Sequence, residues 1–289
     1  QLFKSISSNT IIISIVSLLI SRATLMDGLT PFGIAFLISY ISKKGKSILI
    51  PIASTIGILS VQGLTGYPYL VIIWSVLLTN SIVIKRIRKS QIKLSMYAFL
   101  MLALIRGTFL LVGEYFLYDI VLVGFEGVIV FALTYIFGYS IMILESESKA
   151  FNNEELICGA IMLSLAISGI GTMAIMNFSL QKIVGSILII MFAYNKGPSM
   201  GSAVGITIGV VCGMSSSNMP LVISIYGFSG LLSGLFKDIG KIGCSIGFII
   251  GVGILTIYLN GYGEGIIGID EVAIGSIIYI ILSKLIKDF

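Results

Sequence analysis

The chain contains no histidine, so the side chain most often used as a general base and as a transition-metal ligand is missing throughout its 289 residues. Charge is scarce as well. Asp, Glu, Lys and Arg together make up 11% of the chain, where an ordinary soluble domain carries roughly a quarter. The three cysteines, Cys158, Cys212 and Cys244, lie inside or at the ends of apolar runs and none is paired at a CxxC spacing, so neither a disulfide framework nor a thiolate metal site is indicated. These shortages argue against soluble-type catalysis. No catalytic, cofactor-binding or metal-binding residue is expected in this segment.

What the chain has in abundance is apolar surface: 57% of its residues are hydrophobic and its mean hydropathy is +1.09. A soluble fold of this length could not cover that much, so lipid must be the solvent for most side chains. In lipid every backbone N–H and C=O has to be bonded internally, which leaves helices or closed barrels. The apolar runs are continuous and do not alternate, which selects helices. The expected fold is all-α, a polytopic transmembrane bundle.

Runs bounded by charges, Gly or Pro fall at about 10–26, 31–42, 47–62, 68–84, 94–112, 120–144, 154–170, 180–194, 199–214, 220–236, 242–259 and 270–286. Several are shorter than the roughly 20 residues that cross a 30 Å hydrocarbon core upright, so ten to twelve short spans are expected. The first run follows Lys4 as a secretory signal would, but no small-residue cleavage site follows it and Arg22 interrupts its end, so it reads as a membrane helix. The chain opens on Gln1, which suggests a domain of something longer.

The net charge of +5 does not point to nucleic acid, because the basic residues form small groups between apolar runs and no stripe on a soluble face. With both termini in the cytoplasm, 15 of the 18 basic residues lie on the inner side, in loops or at the chain ends, including Lys43, Lys44, Lys46 and the dense group Lys85, Arg86, Arg88, Lys89 and Lys93. The outer loops carry Asp27, Glu114, Asp119 and Glu264. The dense group would fix topology, hold anionic lipid heads, or do both.

Shifted by about 150 residues, the chain resembles itself. Lys46 to Lys85 matches Lys196 to Lys237 in pattern, with Pro68 and Pro220 opening corresponding helices, and Gly113, Glu114 and Asp119 line up with Gly263, Glu264 and Asp270. The expectation is a parallel six-plus-six repeat with halves at 1–149 and 150–289, joined by the acidic stretch from Glu145 to Glu155. Such a duplication also suits a secondary transporter with a substrate path between its halves, which is the alternative functional reading.

Gly197, Gly201, Gly205, Gly209 and Gly213 recur every four residues, and Gly243, Gly247 and Gly251 repeat the device. Without side chains they let another helix approach closely, either within the chain or between copies in a self-associated form. Arg22 and Arg106 interrupt apolar runs, where a charge calls for a partner. Asp27 is the candidate for Arg22, and Glu114 and Glu126 are the candidates for Arg106. Snorkelling or a structural ion pair is favoured over a proton relay.

In Ser21 to Tyr40, an Arg-Ala pair, a polar turn with Gly28, and Pro31-Phe32-Gly33 leading into Ala35-Phe36 resemble the membrane region of the stage II sporulation protein E family. The stretch from Gly197 to Met214 is similar to that family's later helices. The resemblance implies a multispanning region, usually described with ten spans, in the bacterial plasma membrane at the polar sporulation septum. It further implies a following segment that engages the tubulin-like division protein, and then a manganese- or magnesium-dependent serine phosphatase that acts on an anti-sigma-factor antagonist and so activates a forespore sigma factor. On this expectation the chain is a noncatalytic anchor that localises the phosphatase to the septum, and none of its residues inherits a catalytic role.

Overall fold

The computed structural model describes residues 8–25, 28–44, 47–112, 116–143, 152–171, 174–175, 178–214, 218–260 and 268–285. Every apolar run becomes a helix. In chain order these are α1 (Ser8–Arg22), α2 (Phe32–Lys44), α3 (Leu49–Gln62), α4 (Tyr67–Thr79), α5 (Gln91–Val112), α6 (Leu117–Ile143), α7 (Asn153–Ser168), α8 (Leu180–Lys196), α9 (Pro198–Gly213), α10 (Met219–Leu235), α11 (Lys241–Asn260) and α12 (Ile269–Leu285). A short antiparallel pair, β1 (Ala174–Ile175) and β2 (Phe178–Ser179), precedes α8.

Local chemistry sets many of the boundaries. All five prolines stand just before a helix or in its first turn: Pro31 before α2, Pro51 in α3, Pro68 in α4, Pro198 in α9 and Pro220 in α10. Those positions need no backbone donor and suit the fixed φ of proline. At the start of α7 the Asn152 side chain accepts from the backbone N–H of Asn153, and Glu155 accepts from that of Asn152 at 3.1 Å, a reciprocal cap.

Four helical stretches are long and apolar enough to cross a membrane among the described residues: Leu49–Thr79, Gln91–Val112, Leu117–Ile141 and Lys241–Tyr258. The first comprises α3 and α4 joined by a 3-10 turn, Gly63–Gly66. At its start Gly63 has φ +58°, the left-handed region that favours glycine, and there α3 ends. Beyond Thr79, α4 passes through a π-helical turn, Asn80–Ile84, and one last turn, Lys85–Ile87.

The chain divides into two compact units, 1–169 and 170–289. The internal repeat would divide it at 149/150. The difference is α7, which packs against α1 and α6 of the first unit.

In the first unit α2 is the centre, touching α1, α3, α4, α5 and α6. Ile34, Ala35, Phe36, Leu37 and Ile38 are completely buried, as expected of a helix that is apolar all round. Phe36 meets Phe137 edge to face with ring centroids 5.7 Å apart. Neighbouring contacts establish the helix directions. Ser17 bonds Ser54 at 2.8 Å and Gly57 stands against Leu18, so α1 and α3 run side by side in one direction. Thr79 meets Tyr97 while Arg106 covers Tyr69, so α4 and α5 are antiparallel. Gly138 lies against Gln91 and Gly127 against Phe99, so α5 and α6 are antiparallel too.

In the second unit α8 is central and touches α9, α10, α11 and α12. Two lysines close helix ends there: Lys237 donates to Asn195 O at the end of α8 (3.3 Å), and Lys241 to Ser283 O at the end of α12 (2.8 Å). A cation at a helix C-terminus satisfies a free carbonyl and complements the helix dipole.

Candidate functional site

The first unit contains a buried polar cluster built from three helices. Glu126 of α6 is completely buried. Its Oε1 accepts from the hydroxyl of Tyr69, in the first turn of α4, and its Oε2 faces Nε of Arg106 on α5 at 3.3 Å. The guanidinium also lies over the Tyr69 ring, 4.9 Å from its centroid. The three groups thus satisfy one another. Arg106 keeps a fifth of its side chain exposed, enough for the charged end to reach the boundary while the acid stays inside. Of the two carboxylates named for Arg106, Glu126 is the one the structure brings to it. Glu114 and Asp27 lie outside the described residues. Arg22, at the end of α1, has its Nε buried without a partner among the described residues.

The second unit holds a smaller pair. Lys182 of α8 lies 2.8 Å from Glu271 in the first turn of α12, and the other oxygen of Glu271 accepts from the Ser179 N–H at 2.8 Å. Neither residue stands out in the sequence, because each lies at the border of an apolar run where a charge is unremarkable. Tyr69 is equally hard to find, since it meets an acid 57 positions away.

The glycine stripe faces the neighbouring helix of its own unit. Gly201 stands against the Gly230 carbonyl and Gly205 against that of Tyr226. A Cβ at Gly209 would lie 2.7 Å from Ile223 Cα, and one at Gly213 3.0 Å from Met219. These contacts join α9 to α10 along their whole length. Gly247 and Gly251 of α11 meet the other side of α10, at Leu232 and Ser229, and Gly243 meets Phe236 and Ile239. Gly197 differs: no atom lies within 4 Å of the Cβ it lacks, and its φ of +87° turns the chain from α8 into α9. The eight glycines are therefore seven at close backbone approaches and one at a turn.

Residues 1–287 match the family described as SpoIIE, N-terminal domain. The chain belongs to this family. Over 274 residues it is also 25% identical to stage II sporulation protein E of Bacillus subtilis (strain 168), an alignment that takes in 93% of this chain and 32% of that protein. The chain therefore spans about a third of the length of the curated relative it matches. No solved structure matches it.

Within this SpoIIE N-terminal domain the motif residues Phe32, Gly33, Ala35 and Phe36 form the buried start of α2, with Gly33 pressed against Ser21 of α1. Lys85, Arg86, Arg88, Lys89 and Lys93 are all exposed around the junction of α4 and α5. Among the described residues no group of three or more Cys, Asp or Glu side chains lies close enough to hold a metal ion. What the arrangement can do is hold helices together and present charge at one end of a membrane bundle.

Proposed function

We propose that the chain is a membrane anchor that holds a downstream serine phosphatase at the polar sporulation septum, both of its ends facing the cytoplasm. The match of the family over residues 1–287 supports the reading, since that family is described as an N-terminal domain and the curated relative extends well beyond the part matched. The internal chemistry supports it. Arg106 and Glu126 are paired with each other, and seven of the eight glycines serve helix packing, so the unit reads as a scaffold. Confinement is the physical contribution. A tethered phosphatase meets its substrate, the phosphorylated anti-sigma-factor antagonist, at one surface, and neighbouring copies are concentrated there. The metal ions, the tubulin-like division protein and the antagonist belong to regions after this chain. Because seven of the glycines already face neighbouring helices, self-association would use a different surface.

The test exchanges the domain. The native chain and a chimera carrying an unrelated polytopic bundle of similar size are compared as fluorescent fusions in sporulating cells. Loss of septal enrichment in the chimera, at equal membrane level, is the expected result. Unchanged enrichment would show that localisation resides elsewhere in the protein.

A further inference from the structure

The end of α4 and the start of α5 gather five cations in nine residues, Lys85, Arg86, Arg88, Lys89 and Lys93, and all five are exposed. No Asp or Glu occurs anywhere from Gly28 to Gly113. None of the five cations has an ion-pair partner among the described residues, in contrast to Arg106 and Lys182. The π-helical turn at Asn80–Ile84 lets α4 run on to Ile87, so Lys85 and Arg86 continue that helix, Arg88 and Lys89 lie in the tight turn after it, and Lys93 is in the first turn of α5. Directly beneath them the surface changes to apolar, with Leu78, Ile92, Met96 and Leu100 all exposed. A cluster of cations without ion-pair partners beside exposed aliphatic side chains complements an anionic phospholipid: positive charge for the head, hydrocarbon for the tails.

We propose that Lys85, Arg86, Arg88, Lys89 and Lys93 form a binding site for the headgroups of anionic phospholipids, whose acyl chains lie along α4 and α5. The contribution is electrostatic and is shared among the five residues, which are too exposed to form a closed pocket. It weakens as salt screens the surface. The inference needs only that this unit lies in a bilayer, and does not depend on the septal role. Setting topology is the ordinary use of such residues, but a protein already inserted no longer needs them for that purpose.

The chain supplies its own probe. Trp74 is its single tryptophan, half exposed on α4, 11 positions before Lys85 and so about 16 Å along the helix from the charges, at acyl-chain depth. The chain is reconstituted in nanodiscs of phosphatidylcholine containing an equal fraction of either brominated phosphatidylglycerol or brominated phosphatidylcholine, and quenching of Trp74 is compared. The expected result is a preference for the anionic lipid of about fivefold or more, the factor one basic side chain near a charged surface supplies. It should fall with added salt and disappear when the five residues are all replaced by Gln. A variant with Lys85→Arg, Arg86→Lys, Arg88→Lys, Lys89→Arg and Lys93→Arg retains charge and should retain the preference, which separates loss of charge from loss of fold. Equal quenching by the two lipids would overturn the proposal. A preference that survived the Gln replacements, or was lost in the charge-retaining variant, would overturn it as well.

Discussion

Gly205 stands so close to the Tyr226 carbonyl that a Cβ at position 205 has no room, and the same relationship recurs down the whole length of α9 and α10. Tyr226 is itself completely buried, stacked on Phe248 of α11 with ring centroids 6.5 Å apart, so the backbone it belongs to cannot move aside. The Gly205→Leu variant should lose about 3 kcal/mol or more, the upper end of the cost of overpacking a core. Gly253 of α11 is the control, since nothing lies within 4 Å of its missing Cβ. Gly253→Ala should be neutral or stabilising by about 0.5–1 kcal/mol, because alanine loses less backbone entropy in a helix. Thermal unfolding of the two purified variants, followed by size exclusion, distinguishes them: the first should fail as a monomer, the second should match the parent.

Arg106→Leu leaves the carboxylate of Glu126 buried with only the Tyr69 hydroxyl. The expected loss is about 3–5 kcal/mol, typical of breaking a buried pair from one side. Replacing both partners, Arg106→Leu with Glu126→Leu, should recover most of that loss, because no charge is then left without a partner. Unfolding in a graded detergent titration would show the difference, and equal losses in the single and double variants would mean that the pair is not what the helices depend on.

Lys182→Met removes the partner of the buried Glu271, yet the cost should be smaller than that of Arg106→Leu, about 1–3 kcal/mol. A third of the lysine side chain is exposed and its charge is partly screened, while Glu271 keeps its bond from Ser179. A shift in melting temperature as large as that of Arg106→Leu would contradict this ranking.

Phe36→Ala should cost about 3–5 kcal/mol, since the ring is completely buried and the central helix cannot collapse around the space left. The same substitution at Phe125, which is exposed on α6, should scarcely change stability. Protease resistance of the two variants in native membranes is the measurement.

Some of this was readable in advance because it is local. Proline and glycine mark helix ends through their own dihedral limits, so Pro68, Pro198 and Pro220 announce α4, α9 and α10 without any knowledge of neighbours. The spacing of Gly201, Gly205 and Gly209 announces a close approach on one helix face. That the partner is α10 of the same chain was not readable, because a bare face fits another copy as well as a neighbouring helix. Nor could spacing choose between Glu114 and Glu126 for Arg106, since the first is nearer in sequence and the second is brought over by the antiparallel return of α6.

The sequence by itself determined the solvent, the secondary structure and the grouping of charge. Composition excludes a soluble core, continuous apolar runs require internally bonded helices, and the grouping of most cations between apolar runs follows from the cost of carrying them through lipid. Only the tertiary structure decided which helix lies at the centre of each unit, that α7 packs with the first unit, and that Tyr69, Arg106 and Glu126 meet. The reason is physical. Solvent preference and backbone geometry act on residues one at a time or a few positions apart, whereas packing inside a bilayer is chosen by close contact between surfaces that are all nearly equally apolar. Hydropathy cannot rank those surfaces, so shape and a few polar pairs do.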